Sequence, residues 1–186
     1  YALDIQNAGH SLLTLVNDIL DSSKLEAGKL EILPVEYDLS SMINDLINMI
    51  EKRAKDKGLA LNINVDETMP HLLYGDEIRI KQVILNVLTN AVKYTETGSI
   101  TMTIGYEKTD EENIAFNAAV RDTGIGIKEE DLSKLFSPFE RIEEVRNRTI
   151  EGTGLGMSIV KQLLLMMDSR LEVESVYGEG SNFHFT

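Results

Sequence analysis

The chain has 186 residues, of which 42% are hydrophobic and 26% are charged, and its formal net charge is −13. That length suffices for one well-buried core with a smaller appendage. An acidic chain lacks the basic excess that binding to a nucleic-acid backbone requires, which excludes nucleic acid as the main partner. The absence of cysteine excludes disulfides and thiolate metal sites.

The first predicted element is a helix over residues 3–27, in which apolar groups at helical spacing form a narrow stripe. Such a stripe is typical of a helix that packs on a partner helix. Because the chain begins at Tyr1, inside this helix and without an initiator Met, we expect it to be an excerpt of a longer protein. No apolar run approaches the roughly 20 residues that span a bilayer.

Capping residues indicate two further helices. Asp38 offers a cap for an amphipathic helix from about residue 40 to 56. Asp76 can cap a longer helix whose apolar positions extend to Ala91.

Apolar runs between turn signals predict several strands. Strands and helices mix without strict alternation, which predicts an α+β fold built as a two-layer α/β sandwich with a mainly antiparallel sheet. The predicted strands cover residues 59–65, 99–107, 113–121, 170–176 and 181–185, and shorter helices lie around 129–135 and 154–167.

The long helix carries the first polar cluster. Asn86 and Asn90 lie four residues apart, so both amides project from one face. Buried amides need partners, and a Mg²⁺ ion that keeps several waters and phosphate oxygens can bind an Asn carbonyl oxygen. Lys93, one turn further, could reach the same phosphates. Hydrogen bonds from the two amides to loop backbone are the alternative.

The second cluster follows a predicted strand directly. Glycine at positions 124 and 126 would let a flat ring approach the backbone while Asp122 accepts from an exocyclic amine such as that of adenine. A plain turn at the strand end is the alternative, since Asp-x-Gly is common in turns.

A Gly-rich cluster opens the last predicted helix. Backbone N–H groups at a helix N-terminus favour an anionic phosphate. The cluster matches neither a Walker loop nor a Rossmann turn, which require other spacings. Its residues are Gly152, Thr153, Gly154, Leu155 and Gly156. Together with the first two clusters it supplies what a protein needs to hold a Mg-nucleotide.

The stretch before this cluster is too polar to be core. It carries Arg141, Arg146 and Arg148 among acidic residues, between Pro138 and Gly152. Such a loop suits a mobile cover over phosphates, and a merely solvated loop is the alternative.

With these motifs in order, the chain closely resembles the cytoplasmic core of sensor histidine kinases of two-component systems. Residues 82–95 (QVILNVLTNAVKYT) look like the family's N box and residues 122–126 (DTGIG) like its G1 box. Residues 136–139 (FSPF) look like the F box and residues 152–156 (GTGLG) like the G2 box. Residues 20–28 (LDSSKLEAG) look like the end of the second dimerisation helix.

The resemblance implies an ATP-binding sandwich of the Bergerat type over residues 31–186. Residues 1–30 would be the second helix of a hairpin that dimerises as a four-helix bundle. Of the N-box residues, Asn90 would hold Mg²⁺, and Asn86 would lie near the phosphates on the same face.

The resemblance also implies roles for the other motif residues. Lys93 and Tyr94 would contact phosphates, Asp122 would read the adenine amine, and Arg141 is a candidate phosphate contact. The G1 glycines would floor the base pocket, and the G2 glycines would hinge and line a lid. Nucleotide contacts are thereby expected at Gly124, Gly126, Ile127, Phe139, Gly152, Thr153, Gly154, Leu155 and Gly156.

The implied activity is transfer of the γ-phosphoryl group of ATP to a histidine on the first hairpin helix, leaving ADP. A response-regulator receiver domain would be the next partner, and the intact protein would be a cytoplasmic homodimer, with membrane anchoring left open. The family's acceptor histidine stands in a His-Glu/Asp-x-x-x-Pro box. His10 does not, so we do not expect this chain alone to phosphorylate itself at the family's site.

Two other functions stay open. Gyrase and the mismatch-repair ATPases share the implied fold, but they place Glu at the first N-box position to activate water. Here that position is Asn86, whose amide cannot act as a general base, which disfavours hydrolysis. The third possibility is a non-catalytic nucleotide-binding or dimerisation module.

Overall fold

The computed structural model describes residues 2–140 and 154–186. Its helices are α1 (Ala2–Glu26), α2 (Leu39–Asp56), α3 (Glu77–Tyr94), α4 (Glu129–Leu132) and α5 (Gly156–Met166). Its strands are β1 (Val35–Asp38), β2 (Ala60–Val65), β3 (Leu72–Gly75), β4 (Ser99–Lys108), β5 (Ile114–Asp122), β6 (Glu172–Val176) and β7 (Gly180–Phe185).

The helix ends lie where the sequence places them. Asp38 accepts a hydrogen bond from the Ser41 N–H at 2.7 Å, and Asp76 accepts one from the Arg79 N–H at 3.1 Å. Both satisfy an N–H that the first helical turn leaves without a partner. At the other end of α1, Gly28 takes a left-handed conformation (φ +62°), which any other residue would adopt less readily.

The main sheet has five strands in the order β2-β4-β5-β7-β6. Strand β2 runs parallel to β4, and the three other pairings are antiparallel. This confirms the predicted two-layer α/β sandwich with a mainly antiparallel sheet. Helices α2, α3 and α5 form the second layer.

A second, two-stranded sheet pairs β1 with β3, with Val35 opposite Gly75. Strand β3 is not among the strands that the sequence predicts. Four residues are too few to show an alternating pattern, and β3 is held by its pairing with β1, more than 30 residues earlier in the chain.

The core fills the space between the helix layer and the sheet. Strand β4 alternates as a half-buried strand should, with Thr101 and Thr103 on the face opposite its buried residues. Burying one large aliphatic side chain contributes about 1.5–3 kcal/mol, so this core fixes α3 and α5 side by side. The fully buried large side chains are Met42, Leu46, Ile50, Ile84, Leu88, Ile100, Met102, Ile104, Leu155, Ile159, Leu163 and Leu164.

Helix α1 contacts this body through a polar link. The Asp21 carboxylate accepts a hydrogen bond from Gln82 Nε2 at 2.8 Å, and Arg79 Nη1 lies 3.7 Å from the same oxygen. Arg79 also donates to Gln82 Oε1 at 2.9 Å, so the three side chains form one network between α1 and α3. Gln82 lies one turn before Asn86 on the same side of α3.

The apolar stripe of α1 is exposed, as the sequence pattern predicts for a helix that packs on a partner helix. Across the two described segments, no helix is both long enough and apolar enough to cross a membrane. The exposed residues of the stripe are Leu12, Leu13, Leu15, Val16, Ile19 and Leu20.

Replacing Asp21 by Ala should loosen α1 from α3. Gln82 and Arg79 would lose their shared acceptor, which weakens the contact by about 1 kcal/mol or more. Amide hydrogen exchange over the last two turns of α1 should therefore become faster. Glu26→Ala is the matched control, because Glu26 lies in the same helix and is exposed. Equal exchange rates in the two variants would show that the network does not hold α1.

Candidate functional site

The two N-box amides lie half-buried on α3. Within the segments that the structure describes, neither the Asn86 nor the Asn90 side chain has a hydrogen-bond partner. The alternative of amides bonded to loop backbone therefore has no support there. Two amides that lack protein partners are suited to bind a ligand or a hydrated cation.

The N-terminus of α5 meets Asn86. A Cβ added at Gly156 would lie 3.1 Å from Asn86 Oδ1, so the helices approach closely here and a larger residue would require the Asn86 side chain to shift. Leu155 precedes α5 without making a side-chain cap, which leaves the first N–H groups of the helix without that partner. Since the Leu155 side chain is buried in the core, only its backbone can face a ligand. The region favours an anion.

Asp122 ends β5 and is almost fully buried, with 6% of the residue exposed. Burial raises the pKa of the Asp122 carboxyl, while hydrogen bonds from the backbone N–H groups of Gly124 and Ser181 act in the opposite direction. The bond from Gly124 is 2.8 Å long. A buried acceptor with so few donors is suited to recognise a ligand N–H group.

The packing of the protein's own backbone requires glycine at both G1 positions. A Cβ at Gly126, whose φ is +64°, would lie 2.1 Å from the Val176 carbonyl oxygen. One at Gly124 would lie 2.5 Å from the Tyr94 carbonyl oxygen. The sequence predicts that both glycines let a ring approach the backbone, and in the structure the protein's own backbone also lies close to both positions. A hydrogen bond from the Ile127 N–H to Ser175 Oγ, 2.8 Å long, connects the same loop to β6.

Thr95 ends the N box and is not among the site residues predicted from the sequence. Its side chain is fully buried, and within residues 2–140 and 154–186 its hydroxyl has no hydrogen-bond partner. A Cβ at Gly124 would lie 2.9 Å from Thr95 Oγ1 and 2.8 Å from Asp122 Oδ1, so both oxygens border the same small space. A buried hydroxyl without a partner costs about 1–3 kcal/mol, which a bound polar group or water would relieve.

Lys93 and Tyr94 lie at the end of α3, beside this space. The Lys93 ammonium is 4.9 Å from the centre of the Tyr94 ring, within range of a cation–π interaction. The Tyr94 carbonyl accepts a hydrogen bond from the Ile125 N–H at 3.2 Å. The end of the N-box helix is thereby joined to the Asp122 loop.

The F box and the G2 box contact each other through a backbone hydrogen bond. The Phe139 N–H donates to the Gly154 carbonyl at 3.1 Å, and both residues have positive φ angles, +62° and +72°. The Phe139 ring is exposed. Arg141, Gly152 and Thr153, together with the predicted cover over residues 140–151, lie wholly or largely outside the described residues.

Residues 75–186 match the sequence profile of the histidine kinase-, DNA gyrase B-, and HSP90-like ATPases, and the chain belongs to this family. The family confirms the fold that the resemblance implied, and the most similar relatives described below are sensor kinases.

The chain is 42% identical over 98% of its length to hybrid signal transduction histidine kinase B of Dictyostelium discoideum, of which it covers 9%. It is 35% identical over 97% of its length to signal transduction histidine-protein kinase BarA of Escherichia coli K12, of which it covers 20%. The crystal structure of full-length ShkA in complex with AMPPNP superimposes with a TM-score of 0.80 and 29% identity, over 100% of this chain and 37% of that one. The resemblance to sensor histidine kinases is confirmed. This chain spans only a small part of such proteins.

The described residues fit the nucleotide that the family implies. The Thr95 hydroxyl without a partner and the Asp122 carboxylate border the same position beside Gly124, and the Asn86 amide lies at the N-terminus of α5. Among the described residues no group of three or more His, Cys, Asp or Glu could hold a metal. A Mg²⁺ ion would therefore rely on amide, phosphate and water oxygens, which suits its preference for few protein ligands.

Gly126→Ala should destabilise the protein strongly. The new Cβ would meet a backbone carbonyl and force a left-handed conformation, which together cost about 2 kcal/mol or more. Gly105→Ala is the control, since nothing lies within 4 Å of a Cβ at that position. Chemical denaturation measures the free energy of unfolding of both variants. A Gly126→Ala variant as stable as the Gly105→Ala variant would contradict the close approach of the loop to Val176.

Proposed function

We propose that this chain binds Mg-ATP and transfers the γ-phosphoryl group to a histidine on a dimerisation helix, from which a response-regulator receiver domain takes it. The observation that carries the proposal is the position of Asn86. Its side-chain oxygen lies at the N-terminus of α5, where phosphate is favoured, and it is an amide oxygen. An amide can orient a phosphate or a water but cannot remove a proton from water.

Base recognition is assigned to the loop after β5. Asp122 accepts a hydrogen bond from the adenine amine, and the Thr95 hydroxyl lies beside it to complete a polar end of the pocket. The backbone at Gly124 and Gly126 forms the floor, and Ile127, which packs partly buried against the core, contributes an apolar wall. Because Asp122 is buried away from water, this bond is stronger than the same bond in water.

Phosphate binding is assigned to the facing ends of α3 and α5. Asn90 holds Mg²⁺ through its side-chain oxygen, while Asn86, Lys93 and Tyr94 contact phosphate oxygens. From the other side, the α5 backbone beginning at Gly156 offers N–H groups. Bound Mg-ATP supplies the phosphoryl group and the neutralised leaving group, and the protein contributes position and electrostatic stabilisation.

The cover over the phosphates is assigned to the segment between the F and G2 boxes. Phe139 and Gly154, which are hydrogen-bonded to each other, form its base. Gly152 and Thr153 line it, and Arg141 supplies a cation to the phosphates. Positive φ angles at both ends of the base suit a segment that changes direction sharply.

The division of the chain supports the choice of acceptor. We assign residues 1–30 to the second helix of a dimerisation hairpin and residues 31–186 to the ATP-binding domain. The exposed apolar stripe of α1 would be covered by the first hairpin helix and by a second copy of the protein. The acceptor histidine would stand on that first helix.

The proposal is tested by supplying the acceptor separately. A helical hairpin that carries a His-box is mixed with the chain and Mg-ATP, and a His→Gln hairpin is the control. We expect acid-labile, alkali-stable phosphate on the first hairpin and none on the second. Steady phosphate release that needs no hairpin would favour the ATPase alternative. Binding of ATP without either reaction would favour a non-catalytic module.

The Asp122 assignment predicts a pH dependence. Adenine binding requires the ionised carboxylate, so affinity should fall as the pH decreases through the raised pKa of Asp122, starting at a higher pH than an ordinary Asp (about 3.9) would give. Calorimetry across the acid range gives the ADP affinity of the wild type divided by that of Asp122→Asn. Titration of the phosphates affects both proteins equally and cancels in this ratio. We expect this ratio to shrink with falling pH. A ratio near one at every pH would remove Asp122 from the base pocket.

A further inference from the structure

The last turn of α3 has an unusual set of partners for its carbonyl groups. A helix leaves its last four carbonyl oxygens without partners inside the helix. Here Ala91 O accepts from the Thr95 N–H at 3.1 Å, and Tyr94 O accepts from the Ile125 N–H at 3.2 Å. Neither of these two N–H groups is bonded to the carbonyls of Val92 and Lys93.

A single side chain supplies the missing donors. The Lys57 ammonium donates to Val92 O at 2.7 Å, to Lys93 O at 3.0 Å and to Thr95 O at 3.1 Å. An ammonium group has three N–H donors and no acceptor, so all three are used. Its positive charge also opposes the partial negative charge at the C-terminus of a helix.

The fold brings Lys57 to this place from a distant part of the sequence. Lys57 is the C-cap of α2, and Gly58, with φ +69°, turns the chain into β2. Strand β2 pairs with β4 in parallel, with Ala60 opposite Ser99, so the turns before both strands lie side by side. The α2–β2 turn therefore lies against the segment that links α3 to β4.

The segment that Lys57 holds contains every base- and phosphate-facing group at this end of α3. Lys93 and Tyr94 are its last helical residues, and Thr95 follows with its buried hydroxyl. Through Tyr94 O and the Ile125 N–H, the same segment fixes the loop that carries Asp122. A shift of the last turn of α3 would therefore change the position of Thr95 relative to Asp122, and with it the shape of the proposed base pocket.

We propose that Lys57 is a positioning residue of the nucleotide site, whose ammonium locks the end of the N-box helix against the Asp122 loop. This inference rests on the proposed function of the site. Lys57 touches no nucleotide and acts only through the backbone of residues 92–95. Its loss should loosen recognition of the base and leave the Mg²⁺ contribution of Asn90, one turn earlier in the helix, unchanged.

Lys57→Met tests the proposal, since Met keeps an unbranched apolar side chain but has no donors and no charge. We expect its ADP affinity to fall about tenfold, by the same factor with and without Mg²⁺, which corresponds to about 1.4 kcal/mol. Lys57→Arg, which keeps the charge and donors, should retain most of the affinity. Lys55→Met, in the same last turn of α2 and exposed, should bind like wild type.

Amide hydrogen exchange without nucleotide gives a second readout. The N–H groups of Thr95 and Ile125 should exchange faster in Lys57→Met than in Lys55→Met, because their acceptors belong to the segment that Lys57 holds. Unchanged exchange at both sites would overturn the proposal, as would ADP affinity within twofold of wild type, about 0.4 kcal/mol. Loss of affinity only when Mg²⁺ is present would also overturn it. If wild type fails to bind ADP, the proposed function is wrong, while the exchange data still decide whether Lys57 holds the segment.

Discussion

Helix α3 buries Val83, Val87 and Leu88 between the sheet and its neighbouring helices, and the rest of the structure depends on this packing. Because these residues are fixed in the core, the side chains of Gln82, Asn86 and Asn90 must all project from the adjacent face of α3. Gln82 meets Asp21 of α1, and Asn86 meets the N-terminus of α5. One helix thus joins α1, the amides and the Gly-rich cluster.

The loop proposed to bind the base combines tight packing with a buried acidic side chain. Gly124 and Gly126 let the loop after β5 approach two neighbouring carbonyl groups closely, and Asp122 is buried by that approach. Because the pKa of Asp122 is raised in the folded state, its contribution to stability is most favourable below the pKa of the unfolded chain and declines as pH rises through the folded value. At neutral pH the ionised group therefore costs stability, which a ligand donor would offset.

Interactions between residues close in sequence could be predicted well. Asp38 and Asp76 each accept a hydrogen bond from the N–H three residues later in the chain. Strands β4 and β5 are joined by a short turn around residues 110–113. In both cases the local sequence contains all the residues that interact. Strand β3 could not be predicted, since it depends on pairing with β1. The place of the Thr95 hydroxyl near Asp122 could not be predicted either, because the two residues lie far apart in the sequence. The same holds for Lys57, whose partners lie 35 to 38 residues away.

The sequence by itself determined the composition of the site: two amides one turn apart, an Asp followed by two glycines, and a Gly-rich helix start. These are properties of spacing, because helical periodicity and turn chemistry act over a few residues. Only the tertiary structure decided why the glycines are needed, which hydroxyl borders Asp122, and which lysine completes the end of α3. Those outcomes depend on how distant segments pack, since carbonyl groups and hydroxyls within the core take whatever partners the fold brings to them.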